Sequence, residues 1–514
     1  MLHGVTSSGK TLVYIKLIEE IIRHGKQVLY LLPEIALTSQ IIRRLQKHFG
    51  GYIGIYHSKF THNERVEIWN KVRTGDLKIV LGARSSVFLP FTDLGLVICD
   101  EEHDSSFKQY DPAPRYNGRD AAIYLASLFN ANVLLGSATP SLESYNNAMG
   151  GKYGLAELTQ RYGDLHLPTI EFIDLRTIER KDKNKITLSP PLVEAIKQTT
   201  AKNKQVILFQ NRRGYAPYQV CNVCGWIPQC KYCDVSLTYH KLTNKLVCHY
   251  CGTTYPTVQV CPACGNHDFV QRNFGTEKIE EQLEETFPEA KIARMDVDSV
   301  KGKNAHDALI QQFEQQRIEI LVGTQMVVKG LDFDHVDLVG ILDADGLLSF
   351  AEFRVNERAF QLMEQVSGRA GRKDAGRVLI QTMNPGHPVL QFVQQHNYKA
   401  MFEEEMVKRK QFSYPPFSRL VLLTFKHKIK EIVEAAAYHF TNGLKNKYGN
   451  YIVGPAEPVI NRIRNQYLAE LLFKLPRDSK LIAQCKKDIL DQIAFLHSEK
   501  RYRSVVVVPD VDVV

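Results

Sequence analysis

Residues 4–11 read Gly-Val-Thr-Ser-Ser-Gly-Lys-Thr, the pattern of a loop that binds nucleotide phosphates. In such a loop the glycines let backbone N–H groups approach the phosphates, Lys10 neutralises the β and γ oxygens, and the Thr11 hydroxyl reaches Mg²⁺. The helix expected from Thr11 adds its positive end to the pocket. A chance match in a glycine-containing turn is the plain alternative. The sequence predicts that ATP and Mg²⁺ are bound by Gly4, Val5, Thr6, Ser7, Ser8, Gly9, Lys10 and Thr11.

A second candidate for chemistry is the run Asp100-Glu101-Glu102-His103, which follows an apolar stretch at residues 96–99. A carboxylate at the carboxyl end of a parallel strand points into the crevice where ligands bind. We expect Asp100 to hold the Mg²⁺ and bind the nucleotide, and Glu101 to act as general base toward the attacking water. Acidic residues are also common where helices begin. Together with the phosphate loop, however, the run predicts an ATPase.

The third candidate is the run Gln365–Arg372, in which Arg369 and Arg372 are three residues apart and share a helix face. Such arginines can stabilise the charge that develops on a γ-phosphate. We expect Gln365 to contact the nucleotide as well. Because the run lies more than 350 residues from Lys10, a cleft between two lobes must bring the two sites together. A helix C-terminus rich in arginine and glycine is the plainer interpretation.

Eight of the ten cysteines form four Cys-x-x-Cys pairs between residues 221 and 264. Eight thiolates suit two structural zinc ions with four cysteines each, because no ligand position is left open. The 14 residues between the second and third pairs suit a zinc ribbon, which leaves the outer pairs to bind one metal together. Sequential pairing, reduced thiols or disulfides are the alternatives. The predicted nested sites are Cys221, Cys224, Cys261 and Cys264 for one Zn²⁺, and Cys230, Cys233, Cys248 and Cys251 for the other.

The composition is that of a globular protein, with 44% hydrophobic residues and a net charge of +9. The mild positive charge permits a polyanionic partner such as DNA without requiring one. Clustered cysteine pairs favour metal over disulfides and a reducing compartment. The sequence shows neither a leader peptide nor an apolar run able to span a bilayer. We therefore expect a soluble, cytoplasmic protein without a membrane partner, and expect Cys99 and Cys485 to be core residues.

Short apolar runs alternate with amphipathic stretches up to about residue 400, which predicts α/β domains with parallel sheets. The last hundred residues follow the order β-α-β-β-α-β. We place a first lobe at 1–185, a second lobe at 186–410 with the cysteine insertion 221–264, and an α+β domain at 411–514.

These motifs resemble those of the DExH superfamily-2 helicases, and they stand in that order at residues 4–11, 100–103, 136–139, 323–325 and 365–372. Residues 82–86, 211–215 and 275–277, with the eight cysteines, resemble one family among them. That family is the bacterial PriA-type primosomal helicases (primosomal protein N′), which restart stalled replication forks.

The resemblance implies two RecA-like lobes, a double-zinc insertion in the second lobe with the same nested pairing, and a small C-terminal domain. It also implies ATP-driven 3′→5′ movement on single-stranded DNA, with forked DNA, primosome proteins and single-strand-binding protein as partners. We expect a monomer. The expected cofactors are ATP, Mg²⁺ and two Zn²⁺.

Several predicted DNA contacts follow from the same resemblance. Loop Ser105–Asp120 looks like the aromatic-rich loop of the family, in which aromatic rings stack on bases and cations meet phosphates. Its candidate residues are Phe107, Lys108, Tyr110, Arg115, Tyr116 and Arg119. From the second lobe, Gln325, Lys329 and Asp332 are expected to touch the strand or the nucleotide. Arg462, Arg464, Asn465 and Gln466 stand at a predicted hairpin tip and suit DNA or an acidic tail, although a solvated turn is an equal alternative.

Family members carry a large region before the phosphate loop, whereas only three residues precede Gly4 here. We therefore expect an N-terminally truncated chain with a short first strand and weakened ATP binding. The alternative function is a catalytically impaired remnant that binds DNA or primosome proteins. A third is a double-stranded DNA translocase that does not unwind.

Overall fold

The computed structural model of the chain describes residues 1–33, 39–57, 60–163, 166–178, 188–211, 218–221, 223–224, 226–232, 236–240, 244–248, 253–272, 276–296, 305–327, 331, 333–349, 352–371 and 376–513. It divides into two compact units. The first unit comprises Met1–Asn211 and Thr276–Glu405, and the second comprises Arg212–Gly275 and Met406–Val514. None of the described helices is long and apolar enough to cross a membrane.

The first lobe is a parallel sheet with helices between its strands. Its elements are β1 (Leu2–Gly4), α1 (Lys10–Arg23), β2 (Gln27–Leu31), α2 (Ser39–Phe49), β3 (Ile53–Tyr56), α3 (His62–Thr74), β4 (Ile79–Gly82), β5 (Leu94–Asp100), α4 (Gly118–Leu128), β6 (Asn132–Ser137), α5 (Leu142–Met149) and β7 (Ala156–Leu158). The strand order is β3-β4-β2-β5-β6-β1-β7. Strands such as β2 and β4 are apolar runs buried along their whole length, as expected of a parallel sheet covered on both faces. This order places the carboxyl ends of β1, β5 and β6 side by side.

The chain then enters a second parallel sheet. Its first elements are β8 (Thr169–Asp174), α6 (Pro190–Thr200) and β9 (Gln205–Phe209). The five short strands of the cysteine insertion follow as β10 (Tyr218–Cys221), β11 (Thr238–His240), β12 (Lys245–Val247), β13 (Thr254–Pro256) and β14 (Phe269–Arg272). The sheet resumes with α7 (Thr276–Thr286), β15 (Ile292–Met295), α8 (Ala305–Glu314), β16 (Ile320–Gly323), β17 (Val336–Ile341), α9 (Ala344–Leu348), α10 (Val355–Ser367), β18 (Arg377–Thr382), α11 (Pro388–Gln394) and α12 (Tyr398–Gln411). Its strand order is β15-β16-β9-β17-β18-β8.

Strand β8 corrects the predicted boundary between the lobes. The sequence assigned Thr169–Asp174 to the first lobe, which we ended at residue 185. In the structure this strand pairs in parallel with β18, from Thr169 opposite Arg377 to Asp174 opposite Thr382. The second lobe therefore begins before residue 169, because an apolar run does not reveal which sheet its backbone will join.

The C-terminal domain has the predicted β-α-β-β-α-β order, with one additional short strand at Arg462–Ile463. Its elements are β19 (Ser418–His427), α13 (Lys430–Tyr448), β20 (Ile452–Ala456), β21 (Arg462–Ile463), β22 (Gln466–Pro476), α14 (Ser479–Ser498) and β23 (Val506–Val511). The main path is β20-β22-β19-β23, and its strands pair antiparallel. Residues from α13 and α14 and from the strands they cover form one core, which includes Cys485. This is the split βαβ arrangement.

Candidate nucleotide and metal sites

The phosphate loop connects β1 to α1 with the geometry that a polyphosphate requires. Gly9, immediately before α1, has a φ of 89°, a conformation that side chains other than glycine rarely adopt. The Lys10 Nζ donates to the Gly4 carbonyl at 2.6 Å. The hydroxyl groups of Ser7 and Ser8 are buried without a hydrogen-bond partner among the described residues. Unsatisfied buried donors at the start of a helix fit an anionic ligand.

Asp100 ends β5 beside this loop, and its carboxylate is surrounded by donors. The Tyr14 hydroxyl donates to Oδ1 at 2.9 Å, and the Tyr30 hydroxyl donates to Oδ2 at 3.2 Å. Burial, and then the neighbouring Glu101 carboxylate, raise the pKa of Asp100 to about 6, while Lys10 and the Tyr14 hydrogen bond oppose that shift. A buried carboxylate close to a phosphate loop fits an Mg²⁺ ligand.

A hydrogen-bonded chain crosses from the second lobe to the first at Gln365. Its amide nitrogen donates to Glu101 Oε2 at 3.2 Å and lies 2.9 Å from His103 Nε2. The His103 Nδ1 lies 2.8 Å from the Ser137 hydroxyl, which accepts from the backbone N–H of Thr139 at 3.0 Å. Because the amide donates to Nε2, Nδ1 is the ring nitrogen that can donate to the Ser137 hydroxyl. One side chain of the second lobe thus holds the candidate base and the residues that follow β6.

Arg369 and Lys10 line the same cavity of about 850 Å³. This volume is within the range of pockets that hold small molecules and cofactors. Burial lowers the pKa of Arg369 to about 10, and Glu101 opposes the shift, so the guanidinium stays protonated at neutral pH. The guanidinium donates to the Leu331 carbonyl. Arg372 lies outside the described residues, so its predicted role stays a prediction.

Helix α10 makes further contacts with the first lobe that sequence reasoning missed. Glu357, Gln361 and Gln365 follow one another at intervals of four residues and therefore lie on one face of the helix. The Glu357 carboxylate accepts from the backbone N–H of Leu142 at 2.9 Å. The Gln361 amide donates to the carbonyl groups of residues 139 and 140 at 3.2 and 3.1 Å. The signal that the sequence offered for these contacts was three polar residues at helical spacing with apolar residues between them.

At the end of α10 the two lobes approach so closely that a side chain would not fit. A Cβ atom on Gly368 would lie 2.7 Å from the Thr6 hydroxyl oxygen. Close by, Arg161 Nη1 donates to the Gly371 carbonyl at 2.8 Å. The backbone N–H of the next residue, Tyr162, donates to the Ser7 carbonyl at 3.0 Å. The phosphate loop is therefore in direct contact with the motif that supplies Arg369.

The loop predicted to contact DNA is only partly available for that purpose. Phe107 and Lys108 are buried. Arg119 donates to Glu102 at 2.8 Å, and that carboxylate is fully buried. Phe107 and Lys108 therefore support the lobe from within, and their predicted DNA contacts are wrong. Arg119 is partly exposed, so its contact with DNA stays a prediction. Tyr110 is exposed, so a stacking role for it stays a prediction.

Another exposed aromatic residue stands beside this loop. Phe88, which the sequence analysis passed over, is 64% exposed and packs edge-to-face on Tyr116 at 5.0 Å between ring centroids. Contacts of Arg115, Tyr116 and Gln325 with DNA stay predictions. Lys329 and Asp332 lie outside the described residues.

The first and last cysteine pairs converge in the structure. The Sγ atoms of Cys221, Cys224, Cys261 and Cys264 all lie within 4.8 Å of one another. Tetrahedral Zn–S bonds of about 2.3 Å place sulfur atoms about 3.8 Å apart, so the four thiols fit one zinc ion. This convergence agrees with nested rather than sequential pairing.

For the second site, the structure describes half of the predicted ligands. Cys230 and Cys248 lie buried in a small core with Leu237 and Leu246. Tyr239 belongs to the same core, so its ring packs inside the insertion. The other two predicted ligands, Cys233 and Cys251, lie outside the described residues.

The hairpin at β21–β22 contacts the cysteine insertion within the second unit. The Asn465 backbone N–H donates to the Tyr232 carbonyl at 2.6 Å. The Ile463 side chain packs against the small core that contains Cys230. The turn therefore joins two parts of the chain. Arg464 and Asn465 remain exposed, so contact with DNA or an acidic tail stays a prediction.

Two parallel-sheet lobes that share a phosphate loop, a DExH run and a glutamine–arginine helix define the class of DEAD/DEAH-type helicases. The chain matches the family models for the DEAD/DEAH box helicase at residues 1–148, the PriA DNA helicase Cys-rich region at 230–256, the helicase conserved C-terminal domain at 268–374 and the primosomal protein N C-terminal domain at 410–514. Its 41% identity to the replication restart protein PriA of Rickettsia felis, over 72% of that protein, defines the family more narrowly. The chain belongs to the PriA family of replication restart proteins.

Similarity to curated proteins extends over nearly the whole chain. It is 41% identical to the replication restart protein PriA of Bacillus subtilis, over 95% of this chain and 61% of that protein. It is 41% identical to PriA of Rickettsia felis, over 92% of this chain and 72% of that protein, and 37% identical to PriA of Treponema pallidum, over 95% and 74%. The chain thus spans about three fifths of the length of the B. subtilis relative.

Proposed function

We propose that the chain is an ATP-dependent DNA helicase that moves 3′→5′ on single-stranded DNA and acts in restart of stalled replication forks and in primosome assembly. One observation carries the proposal: Lys10, Asp100, Glu101, Gln365 and Arg369, which come from both lobes, line one cavity. Family membership supplies the DNA substrate and the process of replication restart.

In this proposal each group around the cavity has one task. Asp100 and Thr11 would hold Mg²⁺, which neutralises phosphate charge when it is bound. Glu101 accepts the proton of the attacking water, and the Gln365 amide keeps that carboxylate in place. Lys10 and Arg369 stabilise the charge on the transferred phosphoryl group from opposite lobes.

The contacts of α10 explain how hydrolysis would drive movement. The same helix face that holds Glu101 through Gln365 also holds residues 139 and 140 through Gln361. A change at the γ-phosphate therefore reaches the loop after β6 through one rigid element. Alternating closure and opening of the two lobes would then advance the chain along DNA.

The proposal also covers the cysteine insertion and the partners of the protein. Two Zn²⁺ ions stabilise the cysteine insertion, the first held by the four converged thiols. Forked DNA, primosome proteins and single-strand-binding protein are the partners, and the protein acts as a cytoplasmic monomer.

The test compares ATP hydrolysis with and without single-stranded DNA, and strand displacement on duplexes with a 3′ or a 5′ tail. Stimulation by DNA and displacement from the 3′ tail are expected, and Lys10→Ala should abolish both. Lys16→Ala, an exposed lysine on the same helix paired with Glu19, should behave as wild type. A hydrolysis rate that does not change when DNA is added would overturn the proposal of ATP-driven movement on DNA. Translocation without displacement would favour the duplex translocase, and DNA binding without nucleotide binding would favour the remnant.

A further inference from the structure

Asp100 is held by two buried phenols that the proposed mechanism does not use. Each carboxylate oxygen accepts one hydroxyl, Oδ1 from Tyr14 and Oδ2 from Tyr30. Both tyrosine side chains are completely buried. Their rings pack edge-to-face at 5.7 Å, so each ring restricts the other.

The two phenols reach Asp100 from different elements. Tyr14 lies one helical turn after Lys10 on α1, so both side chains leave the helix on the same side. On the sheet, Tyr30 in β2 is aligned with Ile98 in β5. Asp100 is two residues further along β5 and therefore points to the same face as Ile98. The fold thus brings a helix and a neighbouring strand to one carboxylate.

The strand on the other side of Asp100 leaves the room that this arrangement needs. Gly136 in β6 is aligned with Asp100. A Cβ atom at this position would lie 1.8 Å from the Tyr14 hydroxyl oxygen and 3.4 Å from Asp100 Oδ1. Any side chain here would displace the phenol. The glycine of the Gly-Ser-Ala-Thr motif therefore has a packing role at the carboxylate.

We propose that Tyr14 and Tyr30 are positioning residues that fix the Asp100 carboxylate in the orientation from which it binds the Mg²⁺ of the nucleotide. A donor on each oxygen opposes rotation of the carboxylate and offsets the loss of water around it. Because Oδ1 also accepts from the backbone N–H of Glu101 at 3.1 Å, the acceptor direction left for a cation is on Oδ2. This inference rests on the proposed function, because it assumes that the cavity binds ATP with its metal.

The plain alternative is that the phenols only satisfy buried polar groups and stabilise the lobe. The two interpretations differ in what removal of a hydroxyl changes. A structural role lowers the unfolding temperature and leaves metal dependence alone. A positioning role changes the Mg²⁺ concentration that nucleotide binding requires, and leaves metal-free nucleotide binding unchanged.

The experiment uses the full chain with Tyr14→Phe, Tyr30→Phe and the double variant, which keep the ring and remove only the hydroxyl. Binding of a fluorescent ADP analogue is titrated with Mg²⁺, and again in EDTA. Binding of Mn²⁺ in the presence of ADP is measured by electron paramagnetic resonance. In the double variant the half-saturating metal concentration should rise about tenfold or more, as expected for lost hydrogen bonds to a charged group.

The matched control is Tyr448→Phe, which removes a buried hydroxyl that donates to Asp488 at 2.6 Å in the C-terminal domain. It should leave the metal titration unchanged. A double variant that is folded and titrates as wild type overturns the positioning role. A change of equal size in EDTA does so too, because it would mean general damage to the pocket. If the wild-type chain itself binds no nucleotide with Mg²⁺, the proposed function fails instead.

Discussion

The contact between Gln361 and the first lobe offers a sharp test of coupling between the lobes. Gln361 is buried, and its amide donates to the carbonyl groups of Thr139 and Pro140 at 3.2 and 3.1 Å. Gln361→Met keeps the length and volume of the side chain but removes both hydrogen bonds. Each net bond contributes about 0.5–1.5 kcal/mol, so the closed arrangement should weaken by roughly 1–3 kcal/mol. That corresponds to a shift of about 5- to 150-fold in the closing equilibrium.

Steady-state ATP hydrolysis is the assay, measured with saturating and with no single-stranded DNA. We expect Gln361→Met to lower the DNA-stimulated rate of hydrolysis by about 5- to 150-fold. Nucleotide affinity should change less, because the phosphate loop belongs to the first lobe. Gln361→Glu should be more severe, since it points a carboxylate at two carbonyl oxygens.

The matched control is Gln391→Met. The Gln391 amide donates to the Pro385 carbonyl at 2.8 Å, within the second lobe, and touches nothing in the first lobe through that bond. It should keep the wild-type rate. If Gln361→Met also keeps the full DNA-stimulated rate, the lobe contact seen here is not the active one, and the coupling argument is refuted.

Three further predictions concern packing, burial and metal. Gly368→Ala should lower the hydrolysis rate about 5- to 150-fold, since overpacking against the phosphate loop costs roughly 1–3 kcal/mol. Gly386→Ala should not, because its Cβ would make only an ordinary van der Waals contact, 3.9 Å from Asn384 Oδ1. Glu102→Ala should destabilise the first lobe by about 3–5 kcal/mol in urea unfolding, because the fully buried carboxylate is the partner of both Arg119 and the Ser141 backbone N–H; a loss under about 1 kcal/mol would contradict this. Cys221→Ser should remove one equivalent of bound zinc by metal analysis, while Cys485→Ser should remove none; equal zinc in both would count against the assignment.

Much of the fold could be predicted because each strand of a parallel sheet that is buried on both faces is a continuous apolar run in the sequence. Thr169–Asp174 and Gln205–Phe209 are two such runs, and both are strands of the same parallel sheet. An apolar run does not indicate which strand it will pair with, and Thr169–Asp174 was therefore assigned to the wrong lobe. Pairing depends on contacts between distant residues, which a local pattern does not contain.

At the candidate site, too, some residues could be predicted from the sequence and others could not. Lys10 and Asp100 were identifiable because phosphate and metal binding demand particular residue types at fixed spacing. Gln361 was missed because a glutamine on a helix looks the same whether it meets water or another lobe. Phe107 and Lys108 were misassigned for the converse reason, since an aromatic and basic loop gives no indication of which side chains turn inward.

The junction between the Asn465 turn and the cysteine ribbon has a consequence for biosynthesis. About 200 residues separate the last ribbon cysteine, Cys264, from this turn. At about 5–20 residues per second, a ribosome needs roughly 10–40 s to make that stretch. During this interval the newly synthesised ribbon lacks its contact with the Asn465 turn. Its own small core and the metal that it binds must stabilise it until the rest of the polypeptide has been made.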